Sequence, residues 1–506
     1  MRQNINKLLI AGLFAFGAIN GCSDKLEVGD ANNPTVESYF KTASELQNGV
    51  NAIYSTLRSA NLMGREWFFL HDMRGGEVAP GGPQLEAPRA ELLLQTNGAP
   101  SNAVLTAVWN GTYQMINRAN LVLSKAPDVT DNTALRDVLV GEAKFLRAWA
   151  YFELASQWGD VPMYTEVVNS PTGYKAKSPA TEIYALIIKD LTEAAQALPA
   201  SPAQQGRATS GAANALLGRV QMQKGDYAAA KTALLNVYGK YTLMPSYLSN
   251  FSGDVKQGTT TIAAGNEFNA ESIFEAALFD RGDNAFNWGG TGEGVGEAGT
   301  TAHHQDYGRV WGNIVPSNFL LNEFENNDPR YKFIVYEEGD NILTFEGTQP
   351  GKPLTATDLN VGNSIKGGVS KKRIFRKYSV NDWIDESIHM SGINMRLIRY
   401  SDVLLMLAEC EIELGNLGKA ADYINEVRNR PSVKMPPVAL TSKNQALRLL
   451  MRERAVELAI EGTNNLDILR WRRKGYYPTI IADPKPNQQE FLPIPASETA
   501  SNPLVK

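Results

Sequence analysis

The chain has 506 residues, 43% hydrophobic and 20% charged, which is enough for about three domain-sized units and a large core. Lys+Arg 49 against Asp+Glu 54 leaves a net charge of −5 and excludes a general nucleic-acid binder, because phosphate contacts need a basic face. Two cysteines exclude a disulfide framework, and four histidines leave little for a His-rich metal centre.

Residues 1–21 read as a signal peptide. Arg2 and Lys7 precede the apolar stretch 8–19, which falls short of the ~20 residues that span a bilayer comfortably. Its end, Ile19-Asn20-Gly21-Cys22, resembles a bacterial lipobox, with Asn20 standing where a small or hydroxyl residue is usual. Processing of that kind makes Cys22 the lipidated, palmitate-bearing first residue. A solvated tether over residues 22–35 follows it, opening Ser23-Asp24-Lys25-Leu26-Glu27. No later apolar run is long enough to span a bilayer, so the expectation is a lipid anchor.

Over residues 36–240 apolar residues recur at helical spacing. The pattern predicts helices over 108–123, 135–157, 183–198 and 210–224, the last capped by Thr209 or Ser210. Short breaks bearing Gly or Pro join them, as antiparallel helix pairs require. An internal repeat points the same way: Leu217-Gly218 … Gly225-Asp226 … Leu234 aligns with Leu407-Ala408 … Gly415-Asn416 … Ile424. A small residue at a helix crossing and a glycine ending the first helix resemble tetratricopeptide units, which bury their apolar faces only by stacking. The expected fold class is mostly α, an irregular tetratricopeptide-like scaffold of helical pairs with long loop-rich insertions and a few short strands. Cys410, alone in the apolar run 404–414, reads as a buried, inert thiol.

Residues 241–395 break the pattern with Gly, Asn, Thr and aromatics, and 272–278, 332–336 and 373–378 read as short extended pieces. A second irregular stretch covers 65–100. Irregular insertions on a rigid frame are where binding residues tend to sit.

Residues 396–506 carry the most specific signal. Leu397-Ile398-Arg399-Tyr400-Ser401-Asp402 opens an apolar helix, and Tyr423-Ile424-Asn425-Glu426-Val427-Arg428 fits the next. With Glu453-Arg454-Ala455-Val456-Glu457-Leu458, Asp467-Ile468-Leu469-Arg470-Trp471 and the closing Phe491-Leu492-Pro493-Ile494-Pro495, this resembles the SusD/RagB family, surface lipoproteins of Bacteroidetes. Upstream, Trp109 … Ile116-Asn117-Arg118-Ala119-Asn120 and Glu142-Ala143-Lys144-Phe145-Leu146-Arg147 fit in order. The departure is Thr463-Asn464-Asn465-Leu466, where the family usually has a basic and aromatic run.

The resemblance implies a non-catalytic binding protein that captures oligosaccharides or polysaccharides and delivers them to a TonB-dependent, SusC-like outer-membrane transporter. It implies a lipid anchor in the outer membrane, a site facing the cell exterior, and no cofactor, metal or nucleic-acid partner. The alternatives are a RagB-like peptide-binding or adaptor lipoprotein and, further off, a secreted glycoside hydrolase. Sugar rings present apolar C–H faces to Trp and Tyr, and hydroxyls to planar polar side chains. Two aromatic-plus-polar clusters suit that chemistry. One is Trp288, Asp306, Tyr307, Arg309, Trp311 and Asn313; the other is Trp67, with Phe68 and Phe69, beside Asp72 and Arg74. For each aromatic, core packing competes with ligand stacking.

Rival chemistry has weaker support. Glu453, Glu457 and Glu461 recur every fourth residue, but a glycosidase needs two carboxyl groups about 5–10 Å apart across one bond, typically from different elements. Ion pairs with Arg452, Arg454, Arg470 and Arg472 that fix helix packing are their expected role. His303-His304 has no third ligand at metal spacing. The glycine-rich 289–296 lacks the GK[ST] ending of a phosphate loop.

Overall fold

The computed structural model describes residues 39–94, 98–170, 172–253, 255–257, 260–263, 265–279, 299–309, 311–341, 353–379 and 391–505. The signal segment, Cys22, the 22–35 tether, Trp288 and the glycine-rich 289–296 lie outside the described residues. Several of the helices start where a side-chain oxygen accepts from the orphan backbone N–H groups. α1 (Ala43–Leu57) opens on a capping box in which Glu45 N donates to Thr42 Oγ1 and Thr42 N donates to Glu45 Oε2. After the short α2 (Glu66–Asp72) and α3 (Ala87–Leu94) come α4 (Ala103–Lys125), α5 (Thr133–Trp158), α6 (Ala180–Ala197), α7 (Ser210–Lys224) and α8 (Tyr227–Leu235). Asn102, Asn132, Thr209 and Asp226 cap α4, α5, α7 and α8.

α5 is the centre of this half. It packs against α4, α6 and α1, and every residue from 145 to 158 is buried. Its buried polar members are paired, Arg147 with Asp190 at 2.8 Å. Three short helices follow, α9 (His303–Tyr307), α10 (Asn318–Glu323) and α11 (Arg330–Ile334). The C-terminal part holds α12 (Tyr400–Glu413), α13 (Leu417–Arg428), α14 (Lys443–Glu457), α15 (Asn464–Arg473) and α16 (Ala496–Ser501). The α7–α8 and α12–α13 hairpins are the two copies of the repeat. Gly225 and Gly415 turn the corners with φ of 81° and 85°. Gly218 lets α7 and α8 touch, since a Cβ there would sit 2.5 Å from Leu234. Cys410 is fully buried in α12, and burial pushes its thiol pKa up. Among the described residues no helix is long and apolar enough to cross a membrane.

Strands are few and short. Ser272–Ala276 pairs antiparallel with Met395–Arg399, and Val78–Pro80 with Ile314–Pro316. Val369–Phe375 lies between Val335–Glu337 and Asn363–Lys366. The extended piece expected over 332–336 is a correction: its first residues close α11, and the strand begins at Val335. Asp328 accepts the backbone N–H of Arg330 at 3.0 Å as well as its guanidinium, which fixes the helical entry.

A lattice of buried charges ties the C-terminal helices to these loops. Arg399 donates to Glu271, Glu457 and Glu461, each at 2.8 Å. Arg430 donates to Glu271 at 2.6 Å and Glu457 at 2.8 Å, and Lys377 donates to Glu461 at 2.5 Å. Arg330 reaches Glu453 at 2.9 Å, and Arg428 bonds the same carboxylate. The ion-pair role expected for Glu453, Glu457 and Glu461 holds, but with different partners. Arg454 and Arg470 serve Asp467, Arg472 serves Asp483, and Arg452 lies beside Glu323 and Glu325. Burial works against the charge on Glu271, yet Arg430 and Arg399 hold its pKa down at about 2.

Two substitutions separate packing from charge. Gly218→Ala should overpack the α7–α8 crossing and cost about 1–3 kcal/mol, read as a lower urea midpoint at unchanged m-value. Glu457→Gln leaves Arg399 and Arg430 short of a carboxylate and should cost about 3–5 kcal/mol in the same measurement.

Candidate functional site

The two aromatic clusters meet. α9 lies against α2, where Tyr307 donates its hydroxyl to Asp72 Oδ2 at 2.8 Å and stacks on Phe69 at 6.2 Å. Phe68 meets the Tyr307 ring edge-on at 5.6 Å. Trp67 donates to Glu153 at 3.0 Å and covers Gly462, where a Cβ would lie 2.3 Å from the indole. Arg74 donates to the carbonyls of Gln489 and Glu490, and burial lowers its pKa to about 9. Asn313 donates to Asp306 at 2.7 Å.

The meeting takes place inside the protein. Trp67, Asp72, Arg74, Asp306, Tyr307 and Asn313 are each at most 4% exposed, so none has a face open to a ligand. Their expected ligand contacts are corrected to a supporting role. The physical reason is that α9 is only five residues long and buried at every position, wedged against α2, which is buried from Trp67 to Asp72.

What reaches solvent is Trp311, 40% exposed, with Arg309 half-buried two residues before it. The backbone around Trp311 is firmly held. Trp311 N donates to Gln305 O at 3.1 Å, Gly81 N to Asn313 O at 2.8 Å, and Gly362 N to Gly81 O at 2.6 Å. At Gly81 a Cβ would fall 1.7 Å from the Gly312 carbonyl, so only glycine allows these chains to pass. Gln84 crosses the gap and donates to the Trp311 carbonyl at 3.3 Å.

A polar group adjoins this surface. Arg65 bridges Glu86 at 2.9 Å and Asp306 at 3.9 Å, while Arg89 pairs with Glu66 and Glu86. Both guanidiniums lie over Phe69, at 5.6 and 5.0 Å from the ring centre. Gln84, Glu86, Arg65 and Arg89 were not singled out from sequence. The available signal was the Gly81-Gly82-Pro83 turn inside the irregular 65–100 stretch.

His303 is boxed by Phe68, Tyr307 and Tyr378, with ring centres 4.2–4.9 Å away, and burial lowers its pKa to about 3. Among the described residues no group of three His, Cys, Asp or Glu side chains could hold a metal ion.

Residues 270–506 match the SusD family, and residues 91–222 match a family described as starch-binding associating with outer membrane. SusD-like protein P2 of Formosa agariphila is 25% identical over 504 residues, 95% of each chain. The crystal structure of a SusD-like carbohydrate binding protein from Bacteroides fragilis superposes with a TM-score of 0.73 at 21% identity, covering 92% of this chain and 100% of that one. A laminarin binding SusD-like protein gives a TM-score of 0.70 at 25% identity, covering 92% and 99%.

Over residues 270–506 the chain belongs to the SusD family.

Its departure from the SusD pattern at 463–466 has a structural counterpart. Asn464 and Asn465 are buried amides that bond Glu77 and Gln157, joining the start of α15 to the residues after α2 and to α5. Within the SusD-matching part of the chain, the support under Trp311 also carries an electrostatic cost. Burial pushes Asp306 up to about 6, despite Arg65 nearby. A raised pKa contributes stability fully present below the ordinary value of 3.8 and lost as pH rises through about 6. Asp306→Asn can keep the bond from Asn313. It should therefore stabilise the protein by on the order of 2 kcal/mol near pH 8, with the gain vanishing below about pH 4 in urea unfolding.

Proposed function

We propose that this protein is a non-catalytic glycan-binding lipoprotein of the outer membrane. It captures oligosaccharides or polysaccharides on the Trp311 surface and passes them to a TonB-dependent transporter, held to the membrane through Cys22 and facing the cell exterior. The observation that carries this reading is the exposed indole of Trp311 on a backbone that cannot yield, with the amide of Gln84 bonded to its carbonyl. An indole offers an apolar face to a pyranose ring, and neighbouring planar polar groups sort ligands by their hydroxyls. Family membership, the outer-membrane association in one matching family's description and the laminarin-binding structural relative support the class of ligand and the location.

The non-catalytic part rests on Glu453, Glu457 and Glu461. All three are buried and bound by cations, and Arg430, Arg399 and Arg330 hold Glu457 far below the usual carboxylate range against the effect of burial. A general acid needs a proton near neutral pH, and this one has none.

The test is retention in affinity gels cast with starch, laminarin and other neutral polysaccharides. At least one polymer should retard the wild-type chain, and Trp311→Ala should weaken that by roughly tenfold, a ring-stacking contribution of ~1.4 kcal/mol. No reducing ends should be released. Release of reducing ends, or retention indifferent to Trp311→Ala, defeats the reading.

A further inference from the structure

A pocket of about 350 Å³ opens where α4, the loop residues 163–170 and 172–176, and α16 meet, and it shares no residue with the Trp311 surface. Its walls include the rings of Tyr113, Tyr164 and Tyr174, with Asn117, Glu498 and Val168 beside them. Tyr113 and Asn117 stand one turn apart on α4 and so share a face. The Tyr113 and Tyr164 rings meet edge to face, 6.0 Å apart at 83°.

This pocket is preformed. Asn120 donates to the carbonyls of Tyr164 and Glu166 at 3.0 and 3.1 Å, and Tyr151 donates to Tyr164 O at 2.8 Å. Asn502 donates to Lys175 O at 3.0 Å, and Ala496 N to Pro100 O at 2.7 Å, which fixes α16. A rigid pocket spares its occupant the cost of ordering the loop.

Its surface is unusual for a pinned loop. Tyr174 and Val168 stand 36% and 41% exposed. Among the described residues the Asn117 amide NH₂ makes no hydrogen bond, and Glu498 is engaged only through Oε1, by Asn502 at 2.8 Å. An aromatic wall with a planar donor and an acceptor at its edge fits a ring that has one apolar face and hydroxyls at its rim. The charge balance then selects among such rings. Glu498 lines the pocket, while Lys175, lying 5.6 Å over Tyr164, is paired with Glu166 at 3.1 Å. Anionic sugars are disfavoured.

We propose that this pocket is a second carbohydrate site, taking one or two rings of a neutral pyranose. The choice of a sugar over another hydroxylated ring rests on the function proposed above; the pocket itself does not. The volume falls at the small end of the range for ligand sites, which suits a disaccharide and not a folded chain segment.

The test titrates the full chain with maltose, cellobiose and laminaribiose, and with digalacturonate as the charged control, by calorimetry and saturation-transfer NMR. At least one neutral disaccharide should bind and digalacturonate should not. Binding should weaken roughly tenfold in Tyr174→Ala, about threefold in Asn117→Ala, and not at all in Trp311→Ala. Both pocket substitutions lie at the surface, and matched thermal melts confirm the fold. Binding that survives both of them, preferred binding of digalacturonate, or failure of every neutral disaccharide to bind overturns the second site. The Trp311 surface is scored separately by polymer retention, so either site can fall while the other stands.

Discussion

Arg399 is the joint on which the structure turns. It sits at the end of the strand Met395–Arg399, one residue before α12, and its guanidinium is shared among Glu271, Glu457 and Glu461. Those carboxylates come from the segment before the strand Ser272–Ala276, the end of α14, and the turn leading to α15. Arg430 and Arg428 at the end of α13, Arg330 and Lys377 extend the lattice to three more segments. Desolvation consumes much of the Coulombic gain in such a cluster, so its main product is selectivity. Any arrangement that leaves one member unpaired costs about 3–5 kcal/mol. Short helices and strands with little regular pairing of their own are thereby held to a single register.

The same logic explains why a loop-rich region can present a firmly held surface. The strand Ile314–Pro316 has only a three-residue partner, Val78–Pro80, yet Trp311 just before it is held from several sides. Tyr307 and Asp72 lock α9 to α2, and Asp72 also accepts the backbone N–H of Gly462 in the turn that carries Glu461. The exposed indole and the central lattice are therefore joined by a short run of buried hydrogen bonds. Preorganisation at Trp311 is inherited from the charges beneath it.

How much of this was legible in the sequence depended on the kind of signal. Long helices were readable because 3.6-residue periodicity and caps are local: α7 runs Ser210–Lys224 with Thr209 as cap, and α5 extends the expected 135–157 by two residues at the start and one at the end. The aromatic cluster was readable as a composition but not as a surface. In α9 all five residues are buried, so no polar face marked Tyr307 as core and Trp311 as exposed. The partners of Glu453, Glu457 and Glu461 were illegible for a different reason. Arginines nearby in sequence were the natural guess, whereas Arg399 and Arg330 lie 58 and 123 residues from the acids they serve. Tyr113, Tyr164 and Tyr174 were similarly invisible as a group, since each belongs to its own local pattern until the loop folds back on α4.

A shallow aromatic platform sets a limit on affinity that bears on how such a protein works. Stacking one ring contributes on the order of 1 kcal/mol beyond burial, and each hydrogen bond to a hydroxyl replaces one already made to water. A single platform therefore releases its ligand readily and makes poor use of a dilute polymer. Two such sites on one chain, as proposed above, would change the kinetics of retention without deepening either. Once one ring of a long glycan is held, the second encounter becomes intramolecular at an effective concentration set by the polymer's reach, and avidity exceeds either affinity without a new contact. Short fragments, unable to reach both sites, gain nothing.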